Sequence, residues 1–198
     1  MPPQTVPRQA AGAGRQPSAR ERILSTAHDL YYAEGIRATG VDRVIAEAGV
    51  TKVTFYRHFP SKDELILEFL EYRHRRWMAW FADALRRHAR SGSADGIEAI
   101  AGAMGEWFGS ASFRGCAFIN SVGELGTTSP EVVAAAARHK HDMTDAIAGL
   151  LPASRHRRRD AQVAAMAVDG AIVRAQIDGV PGSALKTLRT LLIAALRP

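Results

Sequence analysis

Two short amphipathic segments separated by a tight break, Val41 to Ala48 and Thr51 to Pro60, constrain this chain more than any other feature. In the first, Val41, Val44, Ile45 and Ala48 follow the i, i+3, i+4, i+7 spacing of a helix with one buried face, and Gly49 follows as a helix terminator. In the second, the Thr51 hydroxyl can cap a helix N-terminus and Pro60 ends the helix by withholding an N–H. Phe55 and Phe59, four apart, point one way and leave Lys52, Thr54, Arg57 and His58 on the surface. Two short helices joined by a tight turn containing Gly form a helix-turn-helix, whose second helix enters the major groove of DNA. Lys and Arg donate to phosphates and base edges, and Thr reads either, so Thr51 to Lys62 reads as a DNA-recognition stretch.

The placement of charge agrees. The chain carries a formal net charge of +6 over 198 residues. Arg8, Arg15 and Arg20 stand without an acid in residues 1 to 20, and residues 35 to 62 hold five Lys or Arg against Asp42 and Glu47. Those two segments account for the whole excess, which is the footprint expected of a phosphate-binding arm and head.

The run from Gly35 to Leu65, GIRATGVDRVIAEAGVTKVTFYRHFPSKDEL, resembles the TetR/AcrR-type bacterial transcriptional regulators, above all in AGV, FYRHF and SKDEL. The resemblance implies an all-α homodimer with an N-terminal helix-turn-helix three-helix domain and a C-terminal helical effector-binding and dimerisation domain. It implies DNA contacts at Thr39, Arg43, Thr51, Lys52, Val53, Thr54, Tyr56, Arg57, His58 and Lys62. Two positions depart from the family pattern. Gly40 stands where a hydroxyl residue is common, which leaves Thr39 as the substitute cap of the second helix, and Val53 stands where glycine is common. The expected organisation is a flexible basic arm over 1–17, a DNA-binding domain over 18–62 and a ligand-binding and dimerisation domain over 63–198.

In chain order, Arg8 and Arg15 of the arm are either solvated or in contact with the minor groove or backbone. Ser18 with Glu21 forms a capping box that starts the first helix, whose buried stripe is Ile23, Ala27, Leu30 and Tyr31 and which Gly35 closes. Ser61 with Glu64 repeats that signature and opens a long helix reaching Arg90 before a Ser-Gly-Ser break. Trp77, Trp80, Phe81 and Leu85 on that helix form plain core or line a small-molecule pocket. Residues 94–110 give a further helix that includes Met104, Trp107 and Phe108. Arg114 to Asn120 resembles a family segment that begins a helix lining the effector pocket, and Asn120 with Glu124 puts polar groups on one face. The expected ligand-binding set is therefore Trp77, Phe81, Met104, Trp107, Phe118, Asn120 and Glu124. A helix from Pro130 to Leu151 follows, then a basic loop, Arg155 to Arg159, and two last helices over roughly 160–178 and 183–196. In the last, Leu185, Leu188, Leu191, Leu192 and Ala195 form an apolar stripe that a partner subunit would cover, and the resemblance implies a dimer through these two helices.

Other functions find little support. A composition of 46% apolar and 23% charged residues is that of a soluble globular protein, and no apolar run approaches the ~20 residues of a membrane span. With no apolar signal segment and Cys116 as the single cysteine, a cytoplasmic protein is expected. Ser183-Ala-Leu-Lys186 lacks companion motifs, and Ser183 is better used as an N-cap. His139, His141, Asp142 and Asp145 could supply metal ligands, with His139 and Asp142 on one helix face. The motif is loose and reads first as a charged solvent face, so no enzyme activity, metal or cofactor is expected and a metal sensor using His139 stays an alternative. The principal reading is a repressor released from a pseudo-palindromic operator in double-stranded DNA by a small effector. A non-gated architectural DNA-binding protein and a redox sensor acting through Cys116 are the alternatives.

Overall fold

A computed structural model of the chain describes residues 16–90 and 96–196, and its first helix begins at the reciprocal cap. The Ser18 Oγ accepts the Glu21 N–H at 3.2 Å, while the Glu21 carboxylate accepts the Ser18 N–H at 2.7 Å. The helices are α1 (Ala19–Glu34), α2 (Val41–Ala48), α3 (Lys52–His58), α4 (Lys62–Arg90), α5 (Gly96–Phe108), α6 (Ala117–Leu125), α7 (Pro130–Ala148), α8 (Arg157–Asp178) and α9 (Pro181–Leu196). No strand occurs among the described residues, so the all-α expectation holds. The arm residues Arg8 and Arg15 and the Ser-Gly-Ser break after Arg90 lie outside the described residues.

Two compact units emerge. The head unit takes residues 16–75 and 117–136, and the body unit takes 76–90, 96–116 and 137–196. In the head, α1 packs on α2 and α3. Ile23, Ala27, Leu30 and Tyr31 of α1, Val44 and Ala48 of α2, and Phe55 and Phe59 are all buried. Phe55 and Phe59 lie 6.1 Å apart, ring to ring. Each fully buried side chain of this size contributes about 1.5–3 kcal/mol, so this handful of contacts is enough to orient three short helices. Val41 and Ile45 are only half-buried, so Val44 and Ala48 carry the inward stripe of α2.

Two glycines set the turns of the head. Gly49 adopts the left-handed region at φ 62°, and the Val50 N–H reaches Ile45 O at 3.3 Å, closing α2 and leaving Thr51 free to cap α3. Arg22 of α1 donates to Ala48 O at 3.2 Å and so ties down the same helix end. Gly35, at φ 95° and ψ 156°, occupies a region that only glycine populates readily.

In the body, α9 packs against α8 and α5. Arg189 of α9 pairs with Glu98 of α5 at 3.2 Å, and Lys140 of α7 with Asp169 of α8 at 2.5 Å. α7 ends at Ala148, short of the expected Leu151, and two helix starts also differ from the expectation. α8 starts at Arg157, inside the stretch read as a basic loop, where the Arg157 Nε donates to Ala148 O at 2.5 Å. α9 starts at Pro181, so proline fills the first helical position and Ser183 lies inside the helix instead of capping it. No helix among the described residues is long and apolar enough to cross a membrane.

Candidate nucleic-acid interface

α3 is a two-faced helix held at its N-terminus by a side chain. The Thr51 Oγ1 accepts the Thr54 N–H at 3.1 Å and lies 2.9 Å from the Thr54 hydroxyl. With Phe55 and Phe59 inward, the outward face carries Lys52, Val53, Tyr56 and Arg57, all exposed. These form two i, i+4 pairs, Lys52 with Tyr56 and Val53 with Arg57, on adjoining lines of the helix. Thr54 and His58 are half-buried at its flank.

The ten expected DNA contacts separate by what their polar groups already hold. Arg57 makes no hydrogen bond or ion pair among the described residues, and Lys52 has one loose pair, 3.4 Å to Asp42. By contrast, the Arg43 guanidinium is clasped by Glu34 and by Glu47 at 2.9 Å. The Lys62 ammonium donates to Ile36 O at 2.7 Å and lies 6.0 Å from the centre of the Tyr31 ring. Thr39 is fully buried and donates its hydroxyl to Gly35 O at 2.8 Å. It therefore does not cap α2. The backbone of Gly40 stands at that N-cap without any side-chain bond.

Lys62 and Thr39 serve the turn between α1 and α2, together with a residue 88 positions away from Ile36. The carboxylate of Glu124 on α6 accepts the Ile36 N–H at 3.2 Å and the Arg37 N–H at 2.8 Å. A Cβ at Gly35 would stand 3.2 Å from the same carboxylate. Glu124, expected at an effector pocket, is thus engaged with this turn. Burial, with the charge of Asp63, pushes the Tyr31 phenol well above its ordinary range.

One exposed cation escaped the expected set. The Arg37 guanidinium has no partner among the described residues, at the end of the turn that Glu124 holds. Its only sequence signal was its share in the basic excess of residues 35–62, since it belongs to no helix.

The remaining expected ligand residues fall in both units. In the body, Trp77 stacks on Phe81 at 4.6 Å and meets Trp107 at 5.4 Å and His139 at 5.0 Å, and Met104 is fully buried. The buried indole N–H of Trp77 has no acceptor among the described residues. The neighbouring Trp80 donates its own to Glu106 at 3.1 Å. Phe118 and half-buried Asn120 belong to α6 of the head unit, where Phe118 meets the ring of His74 at 6.4 Å. Cys116 is buried, and the Arg114 guanidinium two residues before it donates to Ala111 O and Phe113 O. His139 is buried whereas His141 is exposed and pairs with Asp145 at 3.4 Å, so the two histidines face different surroundings.

Residues 23–69 match the family described as bacterial regulatory proteins, tetR family. Among solved structures, a TetR-family transcriptional regulator from Streptomyces coelicolor is 34% identical, with a TM-score of 0.78 over 92% of this chain and 93% of that one. The reduced form of NemR from E. coli shares the fold, with a TM-score of 0.75 at 20% identity over 90% of this chain and 97% of that one. The HTH-type transcriptional regulator YxaF of Bacillus subtilis, itself uncharacterized, is 34% identical over 83 residues. That match takes in 41% of this chain and 41% of the relative's length.

Proposed function

This chain belongs to the TetR family of bacterial transcriptional regulators, and on that premise we propose that it is a homodimeric repressor released from its operator by a small effector. The observation that carries the DNA-binding part is the outward face of α3. Lys52, Val53, Tyr56 and Arg57 are presented together and are barely used by the protein itself. Two copies of α3 about a twofold axis would enter successive major grooves about 34–36 Å apart and read a pseudo-palindrome. Arg37 and Lys52 would flank the groove on phosphates, while Thr51 and Thr54 keep the helix end in shape. Thr39, Arg43 and Lys62 support that surface from behind.

Pairing through α8 and α9 is supported by apolar exposure that the monomer leaves unexplained. Met166 is 75% exposed, Ile177 69% and Leu191 49%, and an open groove of about 280 Å³ runs beside Met166, Gly170, Arg174 and Leu191. Leu188 and Leu192, the other half of the expected stripe, are buried within the body itself. Met166→Glu with Leu191→Glu would convert a dimer to monomers in sedimentation, and an unchanged dimer would place the interface elsewhere.

The effector would be largely apolar and carry one hydrogen-bond acceptor. The buried indole N–H of Trp77 has no acceptor among the described residues, and an acceptor on the effector would satisfy it, worth about 1–3 kcal/mol. Phe118 and Asn120 lie on α6, the helix whose Glu124 carboxylate accepts the Ile36 and Arg37 N–H groups of the α1–α2 turn within the head unit, so a contact at either residue would bear on that turn through hydrogen bonds. The deciding experiment is fluorescence-polarisation binding to the DNA flanking the protein's own gene, against a random duplex and across a salt series. Preference for the flanking DNA by ~10³ or more at physiological salt is expected of a specific regulator. Equal weak binding to both would overturn it.

A further inference from the structure

Val53 is 70% exposed, the most exposed large apolar side chain on α3. The core does not need it, because Phe55 and Phe59 already fill the inward face. A β-branched residue also loses rotamer freedom in a helix, so an exposed valine here does nothing for the stability of the free protein. Its surroundings indicate what it meets. Val53 is the second residue of α3, in the N-terminal turn that a recognition helix brings to the base edges, and Lys52, Tyr56 and Arg57 surround it on the exposed face. Seen from the major groove, base pairs present hydrogen-bond donors, acceptors and one apolar group, the C5-methyl of thymine. Two methyl groups on a short, stiff side chain can recognise only the last of these.

We infer that Val53 reads a thymine in each half of the operator by packing its methyl groups against the thymine C5-methyl. The inference rests on the proposed entry of α3 into the major groove. The polar neighbours fix the helix in the groove, and Val53 contributes selectivity at one base pair without adding a charge. Its removal should therefore change which sequence is chosen and leave the salt dependence alone.

The test uses the full-length protein. Sites are selected from a randomised duplex library by the parent and by Val53→Ala, and the folding of the variant is checked by circular dichroism. The parent should select dT at one symmetric pair of positions, and Val53→Ala should lose selection there and keep it elsewhere. Replacing that dT by dU, which removes only the methyl, should weaken the parent about fourfold per half-site, the equivalent of one buried methyl group. Val53→Ala should bind the dT and dU duplexes alike. If the parent is indifferent to dU at every selected thymine while Arg57→Ala still abolishes selection, the thymine contact is wrong and the groove assignment stands. If the parent selects no sequence from the library, both fall.

Discussion

The turn between α1 and α2 and the outward face of α3 stand fewer than twenty residues apart, and they treat polar side chains in opposite ways. Around the turn, Thr39, Lys62 and Glu124 have given their hydroxyl, ammonium and carboxylate to the backbone of Gly35, Ile36 and Arg37. On α3, Arg57 has given nothing and Lys52 almost nothing. On the proposed reading, the difference separates cations that build the head from cations left available to DNA. Both kinds look alike in a charge count.

Substitutions can break or sharpen that division. The largest effect is expected at Gly35→Ala, where a side chain would be forced into a glycine-only conformation and against the Glu124 carboxylate. A loss of about 3 kcal/mol in stability follows from the strain and the displaced hydrogen bonds, measurable by urea denaturation. An unchanged midpoint would mean that the turn tolerates what its geometry forbids. Next, Arg57→Ala should cost about 2 kcal/mol in operator affinity, roughly thirtyfold, with little change in Tm, since the exposed residue makes no hydrogen bond or ion pair among the described residues. Lys62→Ala should do the reverse. It should lower stability by about 1.5 kcal/mol through its lost bond to Ile36 O, and leave the slope of affinity against salt within one phosphate contact of the parent. A flattened slope with intact stability would move Lys62 to the reading side.

The smallest effect is a control in the body. Partial burial opposes ionisation of Glu106, but hydrogen bonds from Arg87, Trp80 and His88 outweigh it and hold the carboxyl below its ordinary range. A carboxyl depressed on folding stabilises fully above its unfolded pKa, and that stability is lost as pH falls through the folded value. Glu106→Gln should flatten this acid limb of the stability curve and leave operator affinity at neutral pH unchanged.

What the sequence made legible was local. The Ser18–Glu21 box, the glycine stops at 35 and 49, the Thr51 cap and the inward Phe55 and Phe59 each declare themselves within four residues, and each appears where the pattern put it. The division of labour among the cations was not legible, because it depends on partners far along the chain. Glu124 reaches Arg37 across 87 residues and Lys62 reaches Ile36 across 26. The start of α8 was hidden for an electrostatic reason. Three arginines at a helix N-terminus oppose the helix dipole and read as a loop, and the bond from Arg157 back to Ala148 O, nine residues earlier, shows part of what holds them there. Thr39 illustrates the same limit from the other side. A hydroxyl next to Gly40 suits a cap by position, and the carbonyl of Gly35 took it instead.

One carboxylate gripping two consecutive amides has a consequence for measurement. Glu124 is bonded to both Ile36 and Arg37, so under the proposed gating α6 and the α1–α2 turn would shift together. Under the proposed gating, an effector that weakens operator binding by some factor must itself be bound more weakly, by that same factor, when the operator is present. Titrating effector into the protein with and without DNA therefore gauges the strength of this grip, and Glu124→Gln should bring the two titrations together.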